Sequence, residues 1–233
     1  MALPKIDLPL EELVIPSTGK KVKLRPFTVK EEKILLVAAE SGDAVNELLS
    51  VKQVINNCLV DSTVDEMSMV DLEYVFLNLR TRSVDNIATF SITDPDTDER
   101  VNLEIDFKDV KLIEDEEHDN KVKINEEYTL FLKHPTIAQF EYVLSLDAKD
   151  PLMNYFIMTS CLDKLASEDE VHNFADYSNE EIDDFMNSLD GNSIKQVSKF
   201  FETLPKLRHE VKYTNMNGDE KTFVIEGMRS FFI

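Results

Sequence analysis

Apolar residues recur at helical spacing along several stretches of the chain, and a capping signal precedes most of these stretches. Thr28 with Glu31 forms a capping-box pattern before the first stretch, and Gly42 ends that stretch. Asp43 begins the second stretch and Ser68 the third, where apolar residues follow the i, i+3, i+4, i+7 pattern. This part of the chain therefore predicts three helices.

The second half of the chain carries the same kind of signal. The predicted helix starts are Thr136, Asp150-Pro151, Ser178 with Glu181, and Ser193 with Gln196. Proline suits the first position of a helix, so the start at 150–151 predicts a helix with an apolar face that extends to Leu162. Gly191 ends the helix that begins after Ser178, and Pro205 ends the last one.

Short alternating or apolar segments on either side of turn residues predict β-hairpins. One predicted hairpin spans 13–27 around the turn "STGK", and a single strand is predicted within 127–135. Two further hairpins surround the similar turns "TDPDTDER" at 93–100 and "TNMNGDEK" at 214–221. Their strands are predicted at about 87–107 and 209–227.

Each half of the chain therefore predicts a strand, several helices and a hairpin, in that order. An internal duplication and convergence on common capping and turn chemistry both account for this repeat. We predict a predominantly helical α+β protein. Its N-terminal helical unit spans 1–113 and its C-terminal one 121–233, each ending in a hairpin, with an acidic linker or loop at 114–120 between them.

The formal charge of −21 limits the kinds of molecule that we expect this protein to bind. Nucleic-acid binding needs clustered Lys and Arg, and association with anionic membranes is disfavoured for the same reason, so we expect neither partner. No apolar run approaches the roughly 18 residues of a membrane span, and the N-terminus shows no secretion signal. A solvated acidic surface and a specific basic partner both remain open. The run "EDEEHDN" predicts a mobile linker or exposed loop; a metal site is the alternative, but the run lacks the spacing of one.

Candidate chemistry is sparse along the chain. We predict that Cys58 and Cys161 are small buried thiols. The histidines have no metal-ligand spacing and are expected on the surface or in loops; they are His118, His134, His172 and His209. No phosphate-binding or nucleophile motif is present in the sequence. We therefore expect neither an enzyme nor a bound cofactor or metal.

Two apolar or turn-forming features are candidate protein contacts. Phe231 and Phe232 lie at the C-terminus, where an aromatic pair docks either on the protein's own core or on another subunit. Met216, Asn217 and Gly218 form the turn of the last hairpin. We predict that these five residues contact partner proteins.

Three phrases of the sequence resemble a known family: "IPSTGKKVKLRPFTVKEEKILLVAAESGD", "LEYVFLNLRTRSV" and "FFETLPKLRHEVKYTNMNGDEKTFVIEGMRSFF". The family is that of the baseplate hub subunits of T-even-like contractile-tailed bacteriophages, and the resemblance extends from about Glu12 to Phe232. It implies a late, non-enzymatic protein that binds other hub or tail proteins. Such a protein occurs in the host cytoplasm during assembly and, for a permanent subunit, in the virion. The oligomeric state stays open.

The resemblance also suggests why two similar hairpins occur. Some members of the family carry Cys-x-x-Cys pairs in these hairpins, a spacing that suits a structural zinc ribbon. The equivalent positions here are Thr93 and Asp96 in the first hairpin, and Thr214 and Asn217 in the second, where Gly218 is kept. Because none of the four is cysteine, we expect zinc-ribbon-like hairpins without zinc, held by turn chemistry and packing.

The leading hypothesis is a component of baseplate hub assembly that acts by protein–protein contacts. A transient tail-assembly chaperone that is absent from the mature virion is the first alternative. An acidic protein that mimics nucleic acid and inhibits a host protein is the second.

Overall fold

Helices and short strands alternate along the residues described by this computed structural model, which are 7–84, 86–145, 153–227 and 230. The helices are α1 (Val29–Ser41), α2 (Ala44–Cys58), α3 (Met69–Ser83), α4 (Ile137–Ser145), α5 (Met153–Ser160), α6 (Asn179–Ser188) and α7 (Gly191–Glu202). The strands are β1 (Glu11–Val14), β2 (Lys21–Leu24), β3 (Leu59–Val60), β4 (Ile87–Thr93), β5 (Arg100–Asp106), β6 (Lys111–Ile113), β7 (Lys121–Lys123), β8 (Thr129–Leu132), β9 (Leu162–Ala166), β10 (Val171–Asn173), β11 (Lys206–Thr214) and β12 (Glu220–Glu226).

The prediction of a predominantly helical protein is wrong, because the fold is mixed α/β: the described residues form twelve strands in four sheets beside seven helices. The described strands form four sheets, in the orders β1-β2-β3, β10-β9-β8-β7, β12-β11-β6 and β4-β5. The strands that the sequence did not reveal have two to five residues each, too few for alternation to separate them from loops. The two hairpins predicted to be zinc-ribbon-like belong to separate sheets. Strands β11 and β12 form one sheet with β6, and strands β4 and β5 form another.

The chain forms two compact units. Unit 1 comprises 1–113 together with 206–233, and unit 2 comprises 114–205. The last hairpin belongs to unit 1 because β11 pairs antiparallel with β6, with Leu207 opposite Leu112. The predicted division of the chain into folding units, at 1–113, 114–120 and 121–233, stays a prediction. The internal duplication also stays a prediction.

More than half of the residues of helix α3 are buried. Its Leu72 and Phe76 are fully buried, one helical turn apart. The predicted start at Ser68 is confirmed, since its side chain caps the helix and Asp71 completes the capping box. Asp71 Oδ1 also accepts a hydrogen bond from Ser17 N at 3.1 Å. The first turn of α3 is thereby fixed to the turn between β1 and β2.

Several other predicted helix boundaries are confirmed. Thr28 and Glu31 form the capping box of α1, which Gly42 ends in a left-handed conformation with φ of 63°. Ser178 and Glu181 form the capping box of α6. In each case the signal is local, because the cap and its acceptor lie within one helical turn.

Three predicted helix boundaries in unit 2 are wrong. Helix α7 begins at Gly191 rather than at Ser193, because Asp190 is its N-cap and accepts a hydrogen bond from Ser193 N at 2.7 Å. Glycine therefore opens this helix instead of ending the preceding one. Leu162 does not lie on a helix face but begins β9. The predicted start at 150–151 lies outside the described residues.

The unit 2 core joins α7 to the four-stranded sheet. Val197 and Phe200 of α7 pack with Leu130 and Leu132 of β8 in one buried cluster. The two cysteines, one in each unit, are buried and free, as predicted for Cys58 and Cys161. Burial raises the pKa of both thiols to about 11, so both are protonated at neutral pH.

Candidate contact surface at the paired hairpin tips

Both long hairpins of unit 1 end in turns with matching hydrogen bonds. We call residues 94–99, between β4 and β5, tip 1, and residues 215–219, between β11 and β12, tip 2. Asp94 N donates to the Glu99 carbonyl oxygen at 2.8 Å in tip 1. Asn215 N donates to the Asp219 carbonyl oxygen at 3.1 Å in tip 2. The first and last residues of each tip thereby close the turn.

A buried side-chain oxygen organises each tip. Asp94 Oδ1 accepts hydrogen bonds from Asp96 N at 3.1 Å and from Thr97 N at 3.0 Å. Asn215 Oδ1 accepts from the backbone N–H groups two and four residues later, each at 3.0 Å. Asp94 is 0% exposed and Asn215 is 5% exposed. Asp and Asn both stabilise turns in this way, by binding backbone N–H groups that would otherwise lack an acceptor.

Tip 1 is joined by hydrogen bonds to tip 2 and to the strand that precedes tip 2. Tyr213 Oη donates to Asp94 Oδ2 at 2.8 Å. The carboxylate of Glu99 accepts a hydrogen bond from Met216 N at 3.0 Å.

An ion pair and an aromatic pair add to this contact. Lys221 Nζ pairs with Asp96 Oδ2. The ring centroids of Phe90 on β4 and Phe223 on β12 are 5.6 Å apart. Each hairpin therefore restricts the position of the other.

Charge reinforces the contact between the tips. Burial alone would raise the pKa of Asp94, but hydrogen bonds from Tyr213, Thr97 and backbone amides outweigh burial and lower that pKa below its ordinary value. The hydrogen bond to Asp94 is the main cause that raises the pKa of Tyr213. The hydrogen bond to Asp96 likewise raises the pKa of Lys221. At neutral pH, Asp94 is thus ionised, Tyr213 neutral and Lys221 charged, which are the forms that these contacts require.

The structure places three of the predicted contact residues at tip 2. Met216 is 71% exposed, and Asn217 and Gly218 are exposed beside it. Gly218 adopts a φ of 84°, which explains glycine at this point of the turn. Phe231 and Phe232 lie outside the described residues, so their predicted contact stays a prediction.

The residues that join the two hairpins were not predicted from the sequence. Asp94, Glu99 and Tyr213 bind across the two hairpins, yet no local pattern relates them. The one available signal is the Asp or Asn at the start of each turn, since both residue types favour such turns. The four positions proposed by resemblance to zinc ribbons include Asp96, whose carboxylate binds Lys221 instead.

The histidines and the acidic run lie in other places. His118 and His134 have ring centroids 5.5 Å apart, and each ring contacts Phe200. His172 contacts Tyr177, and His209 lies on β11. The residues at 114–120 form an exposed loop except for the half-buried His118.

No group of His, Cys, Asp and Glu within the described residues has the arrangement of a metal site. Over the same residues, no helix combines the length and the apolar character that a membrane crossing requires.

A protein-family model matches most of the chain. The model of a family described as T4 bacteriophage base plate protein matches residues 9–233. The matched range includes both compact units and both hairpin tips. No curated protein and no solved structure matches the chain.

Proposed function

The chain belongs to the T4 bacteriophage base plate protein family, and we propose that it serves in assembly of the central hub of the baseplate without catalysing a reaction. The family makes it a phage baseplate component that contacts other tail or baseplate proteins. The three phrases quoted above support the assignment to the hub. We propose that the protein assembles with its partners in the host cytoplasm and is incorporated into the virion tail.

The exposed Met216 on a fixed backbone is the observation that carries this proposal. Its side chain is 71% exposed, whereas its N–H is bound to the carboxylate of Glu99 in the other tip. Methionine is flexible and polarisable, which suits it to apolar contacts with a partner surface. A fixed backbone with an exposed apolar side chain favours a protein contact, because less ordering is needed on binding.

The contacts between the tips lower the cost of binding. A single hairpin turn loses conformational entropy when a partner fixes it, and this loss opposes binding. Here Tyr213 and Lys221 of the second hairpin are already bound to tip 1. Most of the ordering has therefore taken place before a partner arrives.

A matched pair of substitutions tests the contact. Met216→Asp places a charge at tip 2, and Leu36→Asp places the same charge on α1, where Leu36 is 59% exposed in the same unit. A phage that lacks the gene is complemented with each variant, and incorporation into hub subassemblies is quantified by mass spectrometry. We expect Met216→Asp to reduce incorporation about tenfold or more, as for loss of one central contact residue, and Leu36→Asp to have little effect.

Both variants should keep the wild-type melting temperature, because both side chains are exposed. Normal incorporation of Met216→Asp would contradict the contact role of tip 2. A defect confined to Leu36→Asp would instead place the contact surface on α1.

A further inference from the structure

We propose that a groove in unit 2 binds a basic peptide segment of another protein, with an apolar side chain of that segment inside the groove. The groove lies among α4, α5 and α6 and has a volume of about 650 Å³. Its apolar lining includes Phe156, Leu162 and Ile182. This volume accommodates a few side chains, and most binding pockets combine such a lining with a few polar groups.

Hydrogen bonds hold the walls of the groove in place. Gln139 Nε2 donates to the carbonyl oxygen of Ser160 at 2.7 Å and thereby joins α4 to the end of α5. Tyr155 Oη donates to Asp183 Oδ1 at 2.8 Å and joins α5 to α6. Because each wall is bound to its neighbour, the groove is formed before a ligand enters, which favours binding.

The charge around the groove selects the occupant. Residues 114–205 contain 21 Asp and Glu against 7 Lys and Arg, a formal charge of −14, whereas the rest of the chain contributes −7 to the total of −21. Helix α6, one wall of the groove, has four exposed carboxylates: Glu180, Glu181, Asp183 and Asp184. Among the described lining residues, Lys133 is the one cation. Acidic ligands are repelled by this surface, and Lys or Arg residues that flank an apolar anchor are attracted to it.

A synthetic peptide tests this occupant directly. The probe has about 14 residues, or four helical turns, and consists of Lys, Leu and one Phe, with its apolar residues on one helical face and both ends blocked. Its binding to the full chain is measured by fluorescence anisotropy at physiological salt. A second peptide keeps the Lys residues of the probe and has Ser in place of Leu and Phe.

Two substitutions fill the groove without changing the charge. Ala138 lies on α4 and Ala175 between β10 and α6; both line the groove and both are exposed. We expect Ala138→Phe and Ala175→Phe each to raise the Kd of the probe about tenfold, as for loss of a central contact. Ala39→Phe is the control, because Ala39 is exposed on α1 of unit 1, and it should leave Kd unchanged.

A second pair of variants tests the contribution of charge at the groove. Asp183→Asn and Asp184→Asn each remove one exposed carboxylate of α6, but Asp183 alone of the two lines the groove. We expect Asp183→Asn to raise Kd about threefold and Asp184→Asn to raise it less, because the interaction between charges falls with distance.

Several results would overturn the proposal. Equal affinity for the peptide without apolar side chains would show attraction by charge alone. Unchanged Kd for both groove-filling variants would place the peptide elsewhere, as would amide chemical-shift changes confined to the acidic loop at 114–120. Failure of the probe to bind would also contradict it. None of these results bears on tip 2 in unit 1, so the proposed function is tested separately.

Discussion

Tip 1 and tip 2 close their turns in the same way, but with a carboxylate in one and an amide in the other. Asp94 accepts hydrogen bonds at both oxygens, from two backbone N–H groups, from Thr97 Oγ1 and from Tyr213 Oη. Asn215 accepts two at Oδ1, and its buried Nδ2 has no partner among the described residues. Since hydrogen bonds to a charged group are stronger than neutral ones, tip 1 is held more firmly.

The tips also differ at their left-handed residue and on their outer surface. Asp98 has a φ of 55° in tip 1, and Gly218 has a φ of 84° in tip 2. The residue after the buried acceptor is Pro95 in tip 1 and the exposed Met216 in tip 2. We infer that tip 1 mainly fixes the position of tip 2 and that tip 2 makes the contact.

Substitution of the buried carboxylate should have the largest effect on stability. Asp94→Ala leaves two backbone N–H groups and the Tyr213 hydroxyl without their acceptor, and the loss of hydrogen bonds to a charged group is costly. We expect the melting temperature of the protein to fall by roughly 5 °C or more, as measured by circular dichroism. Asp219→Ala in tip 2 is the control, because the hydrogen bonds described for Asp219 use its backbone. Equal melting temperatures for the two variants would contradict the stabilising role of the hydrogen bonds to Asp94.

The hydrogen bond between the tips should depend on pH. The pKa of Asp94 is lowered in the folded protein, so its contribution to stability is complete above the ordinary value of 3.8 and is lost as pH falls through the lowered value. Tyr213→Phe removes one donor to this carboxylate. We expect Tyr213→Phe to lower the free energy of unfolding, measured with urea, by less than Asp94→Ala does.

The pH dependence of that loss distinguishes the charged hydrogen bond from simple packing. The difference between wild type and Tyr213→Phe should be constant near neutral pH and should decrease only below 3.8, as pH falls through the lowered pKa of Asp94. A difference that is independent of pH over the whole acid range in which the protein stays folded would show that the ionised carboxylate is not involved.

The left-handed residues should give the smallest effects. Gly218→Ala should destabilise the protein by about 1 kcal/mol, because alanine is strained at positive φ and the space around its Cβ is open. Asp98→Gly should change the free energy of unfolding by less than about 0.5 kcal/mol, since relief of strain is offset by a more flexible unfolded chain. Denaturant unfolding measures both. A large gain for Asp98→Gly would show that tip 1 is strained rather than relaxed.

Local chemistry is what the sequence made predictable. The caps at Thr28, Ser68 and Ser178 lie within one turn of their acceptors, and all three form. The hairpin turns were located for the same reason, since Asp, Asn and Gly act within a few residues. Met216 could accordingly be placed on an exposed turn.

Contacts between distant residues were not predictable. Tyr213 and Asp94 are 119 residues apart in sequence, and no spacing rule relates them. The strands of three residues at β6 and β10 exist through their pairing with β11 and β9, which a local pattern cannot show. The overestimate of helix follows from this, because capping signals are local and the pairing of short strands is not.

The most direct test is to quantify this chain by mass spectrometry in purified mature tails and in hub intermediates from infected cells. The proposed function predicts a fixed stoichiometry with the hub proteins in the intermediates and in the finished tails. Presence in intermediates alone would make the chain a transient chaperone and contradict its place in the virion. Absence from both would contradict a role in hub assembly.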